Sequence, residues 1–208
     1  MHRIIPTILE SDFSEIEKKL KIYQDFTDTV HIDFIDGLFF DTKTFLDPTP
    51  FIKYSDKFFL EAHFMVDNPT QYLKPFATAG FKRFLGHIEK MPDQAEFVAE
   101  GRILGEVGLA IDGPTSVDEI KANFDDLDVL LIMTIKAGAS GQEFIPEYLE
   151  KVRQVKEKSF VLIEVDGGIN TETILAARDA GASRFCTNKF IFDGDPKSQF
   201  EKLIRALE

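Results

Sequence analysis

Residues 160–187 read FVLIEVDGGINTETILAARDAGASRFCT, and this stretch decides the fold. Phe160–Asp166 is a short apolar, β-branched run of strand type, and Gly167-Gly168 interrupts it. Thr171–Ala180 then reads as a helix, closed by Gly181, a residue suited to the left-handed turn that ends helices. A second strand pattern, Arg184–Thr187, follows at once. A strand, a helix and a strand in this order make a parallel βαβ unit whose helix covers the sheet.

The same alternation extends outward in both directions. Further strand patterns fall at Arg3–Ile8, Thr29–Asp33, Phe58–His63, Arg83–His87, Glu106–Ile111 and Val129–Thr134. Asp12–Asp25 carries Phe13, Ile16, Leu20 and Tyr23 at helical spacing. Asn68 is expected to cap the next helix, with Pro69 as its first residue and Gly80 beyond its end. Other helical patterns run over Asp93–Gly101, Ser116–Asn123, Pro146–Lys158 and Pro196–Leu207, and a short one lies near Pro50–Ser55. Eight strand patterns in 208 residues predict an α/β fold, a (β/α)8 TIM barrel of eight parallel strands, as one domain over residues 1–208. An open doubly wound sheet is the rival, but no G-x-G-x-x-G follows the first strand. The chain is short for a barrel, so its loops must be brief.

Composition narrows the function. A formal net charge of -12 argues against a nucleic-acid partner, which needs a basic patch. The single cysteine, Cys186, excludes an internal disulfide. No apolar run reaches membrane-spanning length and the first residues lack a signal-peptide layout, so a cytoplasmic protein without a membrane partner is expected. A homo-oligomer is expected too.

In such a barrel, chemistry sits at the carboxyl ends of the strands. The second strand ends in His31-Ile32-Asp33, where residues two apart share a face. The third ends in Glu61-Ala62-His63 and the seventh in Glu164-Val165-Asp166. Singly, a strand-end His is an ordinary polar residue and an Asp after a strand an ordinary cap or turn residue. Together, His31, Asp33, His63 and Asp166 are candidate ligands of one divalent metal ion. Two imidazoles and two carboxylates suit Zn, Fe, Mn or Co better than Mg or Ca. Glu61 and Glu164 should face the interior as well, either accepting a hydrogen bond from a ligand imidazole or forming salt bridges lower in the barrel. Met65 and Met133 read as core fillers that can also cap the metal; His2 and His87 read as structural residues.

Three glycine-containing or polar loops follow the last three strands: Lys136–Gln142, Gly167-Gly168 and Thr187-Asn188-Lys189. Glycine lets backbone N–H groups approach an anion, and barrels often bind phosphate after strands seven and eight. Each loop alone is ordinary turn chemistry; their clustering points to phosphate.

These segments resemble the ribulose-phosphate 3-epimerases. The resemblance lies in Ile5–Leu9 with Asp12-Phe13, His31–Gly37, His63-Phe64-Met65, Gly138–Pro146 and above all Glu164–Asn170, and it covers nearly the whole chain in order. It implies a metal held by His31, Asp33, His63 and Asp166. It also implies Asp33 and Asp166 as catalytic acid and base on opposite faces of a ketose phosphate, inverting C3 through a metal-stabilised enediolate. Substrate contacts are then expected from Thr7, His63 and Met65, from Gly138, Ser140 and Gly141, and from Gly167, Gly168, Asn188 and Lys189.

The departures from the family pattern lie in the recognition loops. Thr7 stands for Ser and Ile35 for Met. Leu38–Thr42 replaces His-Phe-Val-Pro-Asn, and Lys136, Ala137, Ala139 and Ser140 alter the sixth loop. Asn188-Lys189 replaces the Gly-Ser of the phosphate site, so that Lys189 compensates as a point charge or Asn188 obstructs the phosphate. The reading is therefore a 3-epimerase acting on ribulose 5-phosphate or a related ketose phosphate. The alternatives are a decarboxylase-like enzyme, or a non-catalytic relative, on the same barrel.

Overall fold

The computed structural model describes residues 2–136 and 142–208. Eight parallel strands close on themselves in chain order: β1 (Arg3–Ile8), β2 (Thr29–Ile35), β3 (Phe59–Met65), β4 (Phe81–His87), β5 (Glu106–Ile111), β6 (Val129–Met133), β7 (Leu162–Asp166) and β8 (Arg184–Thr187), with β8 pairing back onto β1. The helices are α1 (Phe13–Tyr23), α2 (Thr70–Thr78), α3 (Gln94–Leu104), α4 (Leu149–Lys158), α5 (Thr173–Ala180), α6 (Lys189–Phe192) and α7 (Pro196–Leu207). Among the described residues no helix is long and apolar enough to cross a membrane.

Alternation along each strand sorts side chains into two cores. Outward residues such as Ile32, Phe34, Leu60, Phe64 and Phe84 pack beneath the helices. Inside the barrel, an apolar wedge of Leu85, Ala110, Leu131 and Met133 comes from β4, β5 and β6. The opposite interior wall, from β7 through β4, is polar and buried: Glu164, Arg184, His31, Glu61 and Arg83. A half-polar interior departs from the branched apolar layers usual in these barrels, and it sets the site.

Several local expectations shift. Ser116–Asn123 is not an α-helix but lies across two 3-10 turns, Val117–Glu119 and Phe124–Asp126. Ser116 forms a capping box with Glu119, while Asn123 accepts from the Asp125 N–H and starts a new turn where a helix would need to continue. Pro50–Ser55 is likewise a 3-10 helix, Thr49–Tyr54. Asn68 does not cap α2; it sits at φ 47 in the left-handed region that Asn tolerates, and Pro69 takes the cap position. Asp12 and Asp93 do cap their helices, accepting from Ser14 N, and from Ala95 N and Glu96 N. Phe160 lies outside β7 and is 96% exposed, because nothing pairs with the chain before Leu162.

Candidate active site

Strand register brings the four candidate ligands together. His31 lies opposite Glu61 and Asp33 opposite His63 on β2 and β3, while Asp166 ends β7. His31, Asp33, His63 and Asp166 each offer a ligand atom within 4.8 Å of the others. His31 Nε2 is 3.2 Å and His63 Nδ1 2.8 Å from Asp33 Oδ1. Those two ring nitrogens therefore face the carboxylates. Both imidazoles are fully buried.

The other nitrogen of each ring is occupied. His31 Nδ1 donates to Glu61 Oε1 at 2.6 Å, so one of the two interior glutamates does accept from a candidate ligand imidazole. The salt-bridge expectation holds as well: Arg83 pairs with Glu61, and Arg184 Nε donates to Glu164 at 2.7 Å. A second group, His31, Glu61, Glu164 and Cys186, forms beneath the first. Its carboxylates are already neutralised by Arg83 and Arg184, so it supports His31 rather than offering a second cation site. His63 Nε2 lies 2.9 Å from Nε2 of His87, whose Nδ1 is 2.9 Å from Glu89 Oε2.

Two imidazoles and two carboxylates, converging with their remaining ring nitrogens held from behind, fit a divalent ion of the Zn, Fe, Mn or Co type. The charges also fit. Burial pushes the Asp166 carboxyl up to about 7, and the neighbouring Asp33 charge adds to the rise. Burial opposes ionisation of Asp33 too, but hydrogen bonds from His31 and His63 outweigh it and hold the group at about 2. Burial lowers His63 to about 4, so its ring is neutral. For His31 burial is outweighed by contacts with Cys186, Asp33 and Glu164, which hold it well above the usual imidazole range. A crowded set of donors with strained protonation is what a cation relieves.

Above this cluster opens a cavity of about 530 Å3, lined by Asp33 and Asp166 and by Thr7, Met65 and Met133. Gly167, Gly168, Asn188 and Lys189 line it further out, with Glu143, Glu172 and Asp193. Gly168 has φ 69, and a Cβ there would lie 2.8 Å from Phe144 Cβ. Its close packing thus requires glycine whether or not an anion binds. Thr134 Oγ1 donates to the Gly167 carbonyl at 2.6 Å and clasps this turn. Asn188 Oδ1 accepts from Lys19 on α1 at 3.3 Å. Gly138, Ser140 and Gly141 lie outside the described residues.

The sequence reads His87 as a structural residue and gives Glu89, Thr134 and Cys186 no place in the site. For His87 a signal was present: Arg83, Leu85 and His87 alternate on β4, on the strand beside His63. What could not be read was the height of the register, which sets the two rings at one level.

Fold and site define a (β/α)8-barrel enzyme with a candidate metal centre at its carboxyl-terminal mouth. Residues 3–192 match the model of the Ribulose-phosphate 3 epimerase family. The ribulose-phosphate 3-epimerase of Bacillus subtilis is 32% identical, over 99% of each chain. That of Chlamydia trachomatis is 31% identical, over 97% of this chain and 91% of the relative. This chain belongs to the ribulose-phosphate 3-epimerase family of isomerases and is a sugar-phosphate epimerase. Among solved structures, 3-keto-L-gulonate-6-phosphate decarboxylase from Vibrio cholerae superposes with TM-score 0.75 at 12% identity, covering 100% of this chain and 98% of that one. 3-Hexulose-6-phosphate synthase does so with TM-score 0.69 at 17% identity, covering 99% of each. At such identities the likeness is one of fold.

Proposed function

We propose that this protein inverts C3 of a ketose phosphate, ribulose 5-phosphate or a related pentulose or hexulose phosphate, with Asp33 and Asp166 as the acid and base. One observation carries the reading: carboxylates from β2 and β7 line the same cavity directly above two buried imidazoles. A carbon acid beside a ketone needs a base on the face that loses the proton and an acid on the face that gains one. Asp33 and Asp166 supply such a pair. One carboxylate takes the C3 proton, and the other delivers a proton to the opposite face of the enediolate. His31, Asp33, His63 and Asp166 would hold a divalent ion, whose positive charge would stabilise the developing oxyanion. Met65 and Met133, both 2% exposed, give the cavity a water-poor wall that strengthens these electrostatic interactions. Lys189, at the outer rim, offers the phosphate a cation, and the Lys19 hydrogen bond draws the Asn188 side-chain oxygen toward α1.

The test is isotope exchange. Metal-loaded protein in deuterium oxide is mixed with D-ribulose 5-phosphate and, separately, with allulose 6-phosphate. Deuterium at C3 is expected from at least one, and Asp33→Asn and Asp166→Asn should each lower its rate by about 100-fold or more. No exchange from either substrate would sink the reading.

A further inference from the structure

His87 and Glu89 stand behind the candidate metal centre. We propose that they are positioning residues which fix His63 in the tautomer that turns an Nδ1 lone pair toward the cation. This inference rests on the metal reading above.

The argument follows the donors along a chain of three groups. Glu89 Oε1 already accepts from the Asp112 backbone N–H at 2.6 Å, which anchors the carboxylate to the end of β5. Its Oε2 lies 2.9 Å from His87 Nδ1. A carboxylate only accepts, so the proton of a neutral His87 sits on Nδ1. His87 Nε2 is then a lone pair, and 2.9 Å away it faces His63 Nε2. That contact is a hydrogen bond only if His63 Nε2 carries the proton. Asp33 Oδ1 lies 2.8 Å from His63 Nδ1 and, as an ionised carboxylate, would draw the proton to Nδ1 in the metal-free protein. A cation that takes the Asp33 oxygen removes that pull, and the chain from Glu89 then holds the proton on Nε2 and leaves Nδ1 its lone pair. The chain thus prepares His63 from the back as Glu61 prepares His31.

Packing keeps the His87 ring from turning away. It is fully buried and lies at 27° to the plane of the His63 ring with centroids 5.0 Å apart. Phe39 meets it edge-on at 5.3 Å, and Phe40 stacks on Phe39 at 4.1 Å. Phe39 keeps the Phe of the family pattern, while Phe40 stands in place of its Val, so the second ring of this wall is a feature of this chain's own sequence.

Cobalt(II) titration of chelator-stripped full-length protein tests the idea, followed by its visible absorption, with thermal unfolding of each metal-free variant as a control. His87→Phe keeps the ring packing and removes the acceptor; cobalt affinity is expected to fall about 10- to 100-fold with little change in metal-free unfolding. Glu89→Ala gives a second route should His87→Phe fold poorly, with a loss of several-fold. Nitrogen-15 spectra of the zinc-loaded protein should show His63 bound through Nδ1. Wild-type protein that binds cobalt while His87→Phe and Glu89→Ala bind it equally well would overturn this inference and leave the proposed function standing. Coordination through Nε2 would overturn it too. Wild-type protein that binds no cobalt would overturn both.

Discussion

At Glu61 one carboxylate serves His31 and Arg83, with Arg184 3.6 Å away. Oε1 accepts from His31 Nδ1, while Oε2 faces the Arg83 guanidinium. Glu61→Gln cannot satisfy both. Its amide oxygen must turn to Arg83, which only donates, so its NH2 meets His31 and forces a lone pair onto Nδ1. The His31 proton then sits on Nε2, where a cation would bind. Metal affinity should drop about 10- to 100-fold, read by cobalt titration. Stability should fall by about 1–3 kcal/mol in urea unfolding, because Arg83 keeps Glu106 as a partner and is not left wholly unpaired. Unchanged metal affinity would show that Glu61 does not set the His31 tautomer. Asp166 gives a pH signature of the same kind. Its folded pKa of about 7 is raised above the ordinary value of 3.8, so between those limits the folded metal-free protein holds the extra proton. Stability from this group is intact below about pH 4 and is lost as pH rises towards 7. Asp166→Asn should remove that slope, which midpoints at pH 5 and pH 7 for the two metal-free proteins would reveal. The same proton competes with a cation, so wild-type metal affinity should weaken as pH falls below about 7.

Among elements, the turn after β7 shows why a glycine pair can be read from sequence without its reason. In the sequence Gly167 and Gly168 fit either ordinary turn chemistry or an anion cradle; both have positive φ and pack against the segment after β6, a Cβ on Gly167 meeting Ile135 at 2.4 Å. Gly168→Ala is therefore expected to cost about 1–3 kcal/mol even with no substrate present, from left-handed strain and the clash with Phe144. Denaturant unfolding checks this, and a neutral result would mean the turn relaxes freely. Strand identity was legible wherever apolar runs were bounded by polar turns: β1, β5 and β8 start and end where their sequences predict. Half of the candidate cluster was legible because period-two alternation alone puts His31 and Asp33 on one face. Ser116–Asn123 was not, because two side-chain caps within eight residues outcompete a continuous helix. His87 was not, because its partner lies on another strand and only closure of the barrel sets their heights.

At the scale of the whole molecule, the candidate ligands come from β2, β3 and β7, so a bound cation ties strands on either side of the β8–β1 closure. The ligands are far apart in sequence, and the unfolded chain offers no such cluster. Binding free energy should therefore appear as stability of the entire barrel. At a free metal concentration 100-fold above its dissociation constant, the gain is about 2.7 kcal/mol. For a chain of this size that corresponds to a rise in the unfolding midpoint of roughly 5–10 °C. Near-ultraviolet and far-ultraviolet transitions should move together, since the polar wall is continuous with both cores and cannot be stabilised apart from them. A shift in the near-ultraviolet signal alone would place the cation on a local surface site; no shift in either would mean that these four side chains hold no ion.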